Sequence, residues 1–556
     1  MNIKLKYYGF GLMLSVSFAA DASTNLFTPG AAQRLEQDFI DREKQENKLQ
    51  KSIPVVPEIF IPERGARTGV SSDIKNIPVT QFDLDASKFL TVAEIKQIIE
   101  PYKGRDVSLN ELFQVVAELN KLYGEKKIKT ARAILPAQEV KEGVVKISLI
   151  EAHLGEVRVE GQNYMRPSFV KDRIRQKTGD LLSITELESD LIRFNRLYES
   201  KLIAGIVAGA DLGKTDITIE FQEAKRHALA SFTDNAGGPT VGEQRIGTSF
   251  QANNVTGVND KLQLNVTGTE GSRSYGFNYS IPVTKFDTIL DVSYNKGNVE
   301  VIKGAFAPLD ITGQSRNFTI GLKQPFAVSI NRQWATYGRF SSRDSISKFS
   351  GLIQQDLNLD VIVMGLTAEA NYDDYAWALD NSLSLGTTDF GGDAKFSYYR
   401  ANASRVDRFS SGLQLLTRVG LQHSFNNVIP SGEQFQVGGV SSVRGFSEGL
   451  LSGRKGYFGS IELRGSLSIP SSFVLTGLSP TAQVLGFLER GAAFPYRPGQ
   501  AVSEDDYLTS AGLGLILDFG SRVSLKLTLA YPLNRNPNGT RKYDSKLLSS
   551  VNITWL

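Results

Sequence analysis

A membrane β-barrel of about sixteen antiparallel strands, preceded by two small α+β domains and an N-terminal plug helix, is the fold class this sequence predicts. Three observations carry the prediction. The chain opens with an export signal, a unit of about 75 residues then occurs twice, and the last 330 residues alternate apolar and polar with a period of two.

The opening, "MNIKLKYYGFGLMLSVSFAADAS", places Lys4 and Lys6 ahead of a short apolar run, Phe10 to Ala20. Ala20-Asp21-Ala22 supplies the small-x-small pattern of a cleavage site, so residues 1–22 read as a secretory signal peptide. No later run approaches the ~18 apolar residues of a membrane helix. There is no cysteine, which removes disulfides and thiolate metal sites from consideration. Three histidines, His153, His227 and His423, stand far apart without ligand spacing, so no metal and no cofactor are expected. A net charge of +3 gives no case for nucleic acid.

Residues 23–50 contain "TPGAAQRLEQDFIDREKQENKLQ", a helix with Thr28 as N-cap and Pro29 in its first turn. Arg34–Asp38 and Asp38–Arg42 are opposite charges one turn apart. Leu35, Phe39 and Ile40 are its only large apolar residues before Leu49, so it belongs in solvent or a wet cavity. Residues 51–78 then space Pro54, Pro57, Pro62 and Pro78 through an aperiodic stretch, which reads as an extended linker.

Two repeats follow, 79–152 and 153–226. "SLNELFQVVAELNKLY" from Ser108 and "SITELESDLIRFNRLY" from Ser183 match at Ser108/Ser183, Glu111/Glu186, Leu112/Leu187, Asn120/Asn195 and Tyr123/Tyr198. Each opens with the S-x-x-E pattern of a capping box. In the first, Leu112, Val115, Val116, Leu119 and Leu122 form an apolar helical stripe. A shorter helix precedes each, opened by Thr91-x-x-Glu94 and by Pro167, and strand-like segments flank both pairs. The order is β-α-α-β-β, twice. Such a unit leaves a sheet edge able to accept a strand from another chain, or it serves as a rigid spacer.

From residue 227 to 556 the grammar changes. Leu262, Leu264 and Val266 share one face of "KLQLNVTG" while Gln263, Asn265 and Thr267 share the other. Val523, Leu525, Leu527, Leu529 and Tyr531 line up in the same way. Successive strand side chains point to opposite faces, so each segment has a greasy side and a wet side. A β-sandwich would alternate too. Segments of ~9–11 residues, aromatics at their ends ("FSYYR", "TLAYP") and the closing "SSVNITWL" favour a barrel in lipid.

Between two such strands lies "SSVRGFSEG". Gly445-Phe446-Ser447-Glu448-Gly449 matches the G-x-S-x-G elbow of serine hydrolases. That elbow needs a helix and, in that fold, a histidine after the serine; a strand pattern follows Ser447 and no histidine follows His423. The expectation is a protein without enzymatic activity, with hydrolysis at Ser447 as the alternative of another class. No G-x-x-x-x-G-K-[ST] is present, so no nucleotide is expected.

"EQFQVGGVSSVRGFSEG" resembles the sixth extracellular loop of the Omp85 superfamily, whose tip carries V-R-G-F/Y. With two POTRA-like repeats, a leading helix and a barrel of this size, the chain resembles the TpsB outer-membrane transporters of two-partner secretion. "LPAQEV" (135–140) and "AGADLGKTD" (208–216) are similar to stretches of that family's two POTRA domains. The resemblance implies a pore in the bacterial outer membrane with its POTRA-like domains in the periplasm. It also implies a large secreted exoprotein as partner, contacts with outer-membrane lipid, and dependence on the barrel-assembly machinery during biogenesis. Haemolysin, adhesin, haem-binding protein and contact-dependent inhibition toxin are all compatible cargoes; an Omp85-type assembly factor is the runner-up. The resemblance further implies that the loop, about 425–455, folds back into the barrel on Val443, Arg444, Gly445 and Phe446. Its arginine would then meet the acidic residue of a wall motif, here Phe487-Leu488-Glu489-Arg490-Gly491, with glutamate where the family has aspartate. Periodicity puts Gln483, Leu485, Phe487, Glu489 and Gly491 on one face. A lipid-facing carboxylate is costly, so that face should look into the lumen.

Overall fold

The computed structural model describes Leu49, Ile59–Phe60 and residues 76–555, apart from 127, 129, 162–163, 212, 389–393, 469–479 and 535–543. The signal peptide, and the polar helix except Leu49, lie outside the described residues. Leu49 itself is buried against Ala376, Ala378, Val406 and Leu416, and Arg408 donates to its carbonyl oxygen at 2.7 Å.

In the first repeat, helices α1 (Val92–Ile99) and α2 (Leu109–Glu125) accompany a three-stranded sheet. Its central strand, Val144–Glu151, pairs in parallel with Gln81–Leu84 and antiparallel with Ala131–Ile134. Both helices begin with a reciprocal capping box, Thr91 with Glu94 and Ser108 with Glu111. Lys126 and the Thr91 cap hold the Glu94 carboxyl well below its usual range, at about 2. The buried face of α2 is Leu112, Val115, Leu119 and Tyr123. Val116 and Leu122, expected in that stripe, are only partly buried. Tyr123 takes the inner position because its hydroxyl finds a buried acceptor, Glu151, at 3.1 Å.

The second repeat places α3 (Pro167–Lys171) and α4 (Ile184–Leu197) with strands Lys201–Ala208, Lys214–Gln222 and His153–Glu160, adjacent in that order. Ser183 accepts from the Glu186 amide, but its own N–H donates to Gln176 Oε1 at 2.7 Å. The expected capping box is therefore half replaced by a glutamine. The matched asparagines explain themselves. Asn120 exchanges two hydrogen bonds with the backbone of Ala133, and Asn195 does the same with Leu202. Each clips the long helix to the strand that follows it. Ile59 and Phe60, read as linker, pair in parallel with Ala204 and Gly205 and extend this sheet at its edge. A sheet edge presents unpaired backbone groups that an extended chain can satisfy.

Among the described residues, sixteen antiparallel strands from His227–Asp234 to Lys546–Thr554 close into a barrel. Leu264, Phe277, Ile362, Leu421 and Leu529 are exposed on the outer surface, as the alternation requires. Several strands outrun the ~9–11 residues a bilayer needs; Leu352–Asn371 has 20. Sequence neighbours pair all round. At the seam, the first and last strands share five paired positions, Ala230↔Thr554 to Asp234↔Ser550. Asn235 reinforces that seam, bonding the Leu547 carbonyl and the Ser549 amide at 2.7 and 2.8 Å.

The second repeat is clamped to the barrel. Asp287, in a turn between barrel strands and only 2% exposed, accepts from Arg173 Nε, Arg193 Nε and Tyr198 Oη at 2.7, 2.6 and 2.7 Å. The Arg173 guanidinium also lies 3.5 Å from the Phe169 ring centroid. One carboxylate facing two arginines makes a charge-assisted joint shielded from water.

Candidate functional site

The twelfth and thirteenth barrel strands, Lys455–Leu467 and Pro480–Phe494, build the wall on which the loop rests. Along the thirteenth, Leu485, Phe487 and Glu489 are buried while Val484 and Leu488 are exposed. Their register pairs Ser460 with Glu489 and Glu462 with Phe487. Glu462 and Glu489 thus come to the same inner face, one step apart on neighbouring strands.

Between Ser424 and Lys455 the chain turns inward. A short hairpin, Phe435–Val437 with Leu451–Gly453, frames the tip. Arg444, 2% exposed, meets Glu489 three times: from Nε at 2.9 Å, Nη2 at 2.7 Å and its own backbone N–H at 2.7 Å. Its Nη1 lies 2.7 Å from Glu462 Oε2. The guanidinium plane sits 3.5 Å from the centroid of the Phe487 ring. The glutamate's reach lets one oxygen hold the guanidinium while the other caps the backbone amide. Ser460 adds a bond to Glu489 at 3.0 Å, Arg418 approaches it at 3.4 Å, and Arg464 binds Glu462 at 2.6 Å. Three arginines and two glutamates thus gather out of water, with ion-pair distances of 2.6–3.4 Å. A half-dismantled cluster of this kind leaves a desolvated charge, at about 3–5 kcal/mol.

The small residues are equally placed. Gly445 adopts φ +93°, and a Cβ there would meet Ala530 and Pro532 at 3.3 Å. A Cβ on Gly491 would lie 2.6 Å from Val437 Cγ1 and 3.0 Å from Val443 Cγ2. Glycine in the wall is what lets the loop approach. Val443 and Phe446 then pack with Phe435, Val437, Leu451, Ala493 and Leu508. Ser447 accepts from Lys546 Nζ at 3.3 Å, and the described contacts of the three histidines lie elsewhere: Glu151 for His153, Phe250 for His227 and Phe425 for His423.

A second anchor was not read from the sequence. Glu433, at the loop's base and 3% exposed, takes Arg343 Nη1 at 3.1 Å and the Tyr398 hydroxyl. Its backbone oxygen accepts from Gln422 Nε2 at 2.9 Å. Glu462 was missed as well, although it shares a strand face with Ser460 and Arg464, a visible signal.

Comparison with known proteins extends the geometry. The family model for haemolysin secretion/activation proteins ShlB/FhaC/HecB matches residues 213–515, and the ShlB-type POTRA domain matches 77–152. The heme/hemopexin transporter protein HuxB of Haemophilus influenzae is 23% identical over 98% of both chains. The outer membrane transporter CdiB of Escherichia coli is 24% identical over 93% of this chain and 89% of its own. The solved structure of CdiB from Escherichia coli superposes with a TM-score of 0.65 at 20% identity, covering 94% of this chain and 98% of that one. The closed barrel and the repeats before it agree with that likeness, and the chain belongs to the ShlB/FhaC/HecB family of haemolysin secretion/activation proteins.

Proposed function

We propose that this chain is an outer-membrane pore for two-partner secretion of one large exoprotein. The POTRA-like units take up the exoprotein's N-terminal secretion domain in the periplasm, and the barrel conducts it unfolded without nucleotide hydrolysis. Folding outside the cell supplies the direction. The observation that supports this most directly is the pair of repeats joined to the barrel. A passive porin would not carry the two repeats that precede this barrel, the second of them clamped to it at Asp287, whereas a conduit that takes up a protein partner does.

Val443, Arg444, Gly445 and Phe446 are the loop's docking tip, and Phe487, Glu489 and Gly491 are its receptor on the wall. The test is Arg444→Ala. Export should be lost while the barrel still inserts and keeps its heat-modifiable mobility on gels; normal export from that variant removes the loop from the mechanism. The helix of residues 28–50 is the resting plug in this reading. Its polar surface suits a wet lumen, and its departure on the linker is a two-state shift biased by the exoprotein. Deleting 28–50 should raise ion conductance in planar bilayers, and unchanged conductance would count against a plug.

A further inference from the structure

The inner wall of the barrel has two chemistries. The twelfth and thirteenth strands carry Glu462, Arg464 and Glu489 inward, with Arg418 on the neighbouring eleventh strand, Leu413–Ser424. In a ring of sixteen, the fourth and fifth strands, Ser272–Pro282 and Ile289–Glu300, stand eight places away and so face that wall. Register carries one inward row across this side. Gln263 pairs with Gln251 and Asn278, Asn265 with Ser249 and Gly276, and Gly276 with Asn295, which pairs with Asn317. The intervening Leu264, Val266, Phe277, Tyr294 and Phe318 are exposed on the lipid side, which fixes the amides inside.

The middle of this arc carries no ionised side chain. Its charges sit toward the ends: Arg245 is tied to Asp234 at 2.7 Å, Lys261 to Glu199 of the second repeat at 3.3 Å, and Arg343, the register partner of Asn317, to Glu433 of the loop at 3.1 Å. Asp291 lies one step below, bonded to the Ser280 hydroxyl. Gln251, Gln263, Asn265, Asn278, Asn295 and Asn317 are each half-buried; Gln251 donates to Asn253 at 2.9 Å, Asn278 accepts from Ser280 at 3.3 Å and Asn317 accepts from Ser341 at 2.7 Å, each keeping further donor or acceptor capacity.

We propose, given the pore reading above, that this neutral arc is the track along which the extended backbone of the exported polypeptide moves. The common feature of every stretch of an unfolded chain is its row of N–H and C=O groups. Carboxamides offer both a donor and an acceptor to that row whatever the side chains are. Exchanging water for such a bond is worth little net, so each contact forms and breaks readily. A charged wall would hold segments of opposite sign, and conduction requires sites weak enough to leave. The ion cluster on the opposite side is occupied by the loop's tip, and the loop's base ends at Arg343 beside Asn317, which leaves the amides of the second to fifth strands to meet the passing chain.

The test uses planar bilayers holding the full chain. The probe is an uncharged, unstructured peptide of glycine, serine and asparagine with a lysine tail at one end, drawn in by the applied potential. The native chain should show peptide blockades, and the Gln263→Leu, Asn265→Leu, Asn295→Leu triple variant should shorten their dwell time about tenfold. Its ionic conductance should stay unchanged. Thr367→Val with Ser382→Ala, inward on the eighth and ninth strands, should leave the dwell time as it was. Equal dwell times in the native chain and the triple variant, or equal shortening in both variants, overturn the track. No blockade at any potential, by the full chain and equally by the chain lacking residues 28–50, removes the pore reading, and the track with it.

Discussion

The two ends of the inward loop are fastened with opposite polarity. At the tip the loop brings the cation, Arg444, to carboxylates of two adjacent wall strands. At the base it brings the anion, Glu433, to Arg343 and Tyr398 on strands farther round the barrel. The tip is sealed, with side-chain exposures of 3% or less for Arg444, Glu462 and Glu489, whereas Arg343 at the base retains 12%. A loop held by one end can leave; a loop held by two swings about whichever end is kept. The sealed tip carries more of the holding energy because its charges have no water to fall back on. If the tip is released, the damper base is the expected pivot.

Three substitutions test that contrast. The largest effect is expected from Gly491→Val. It adds atoms where Val437 and Val443 already lie within 3.0 Å of a bare Cβ, a clash that costs ~1–3 kcal/mol or displaces the tip outright. Loop cleavage by surface-added trypsin should then appear in intact cells; a protected loop would show that the wall tolerates the intrusion. Arg444→Lys should come next. One ammonium cannot serve Glu489 and Glu462 while stacking on Phe487, so export should fall about tenfold with the tip only partly protected. Native export from this variant would reduce the fork to a simple charge. Glu433→Gln should do least, about threefold on export, because the amide still accepts from Tyr398 and Arg343 keeps partial hydration. A loss equal to that of Arg444→Lys would place the pivot on the same footing as the tip.

Much of the fold could be read in advance because it rests on local periodicity. The period of two assigned Phe487 and Glu489 to the inner face, and the repeat predicted both helix pairs. The Asn120/Asn195 match was visible, although its role as a clip to Ala133 and Leu202 was not. What escaped depends on register between distant segments. Nothing local says that Glu433 will stand beside Arg343, 90 residues earlier. Likewise Asp287 looks like an ordinary turn residue until Arg173 and Arg193, 114 and 94 residues away, close on it. The short strand at Ile59–Phe60 escaped for another reason: a proline-spaced stretch carries no period, and its pairing is dictated by the edge it meets.

The seam has a consequence for how the molecule is made. Asn235 reaches backbone groups 312 and 314 residues away, so ring closure is the longest-range event in the barrel. Every other strand pair joins sequence neighbours, apart from the jump over the inward loop, and can zip progressively. The entropy of bringing such distant ends together falls on five paired positions and a few side chains. High contact order of this kind makes assembly slow, and closure is the step that an assisting machinery would have most reason to accelerate.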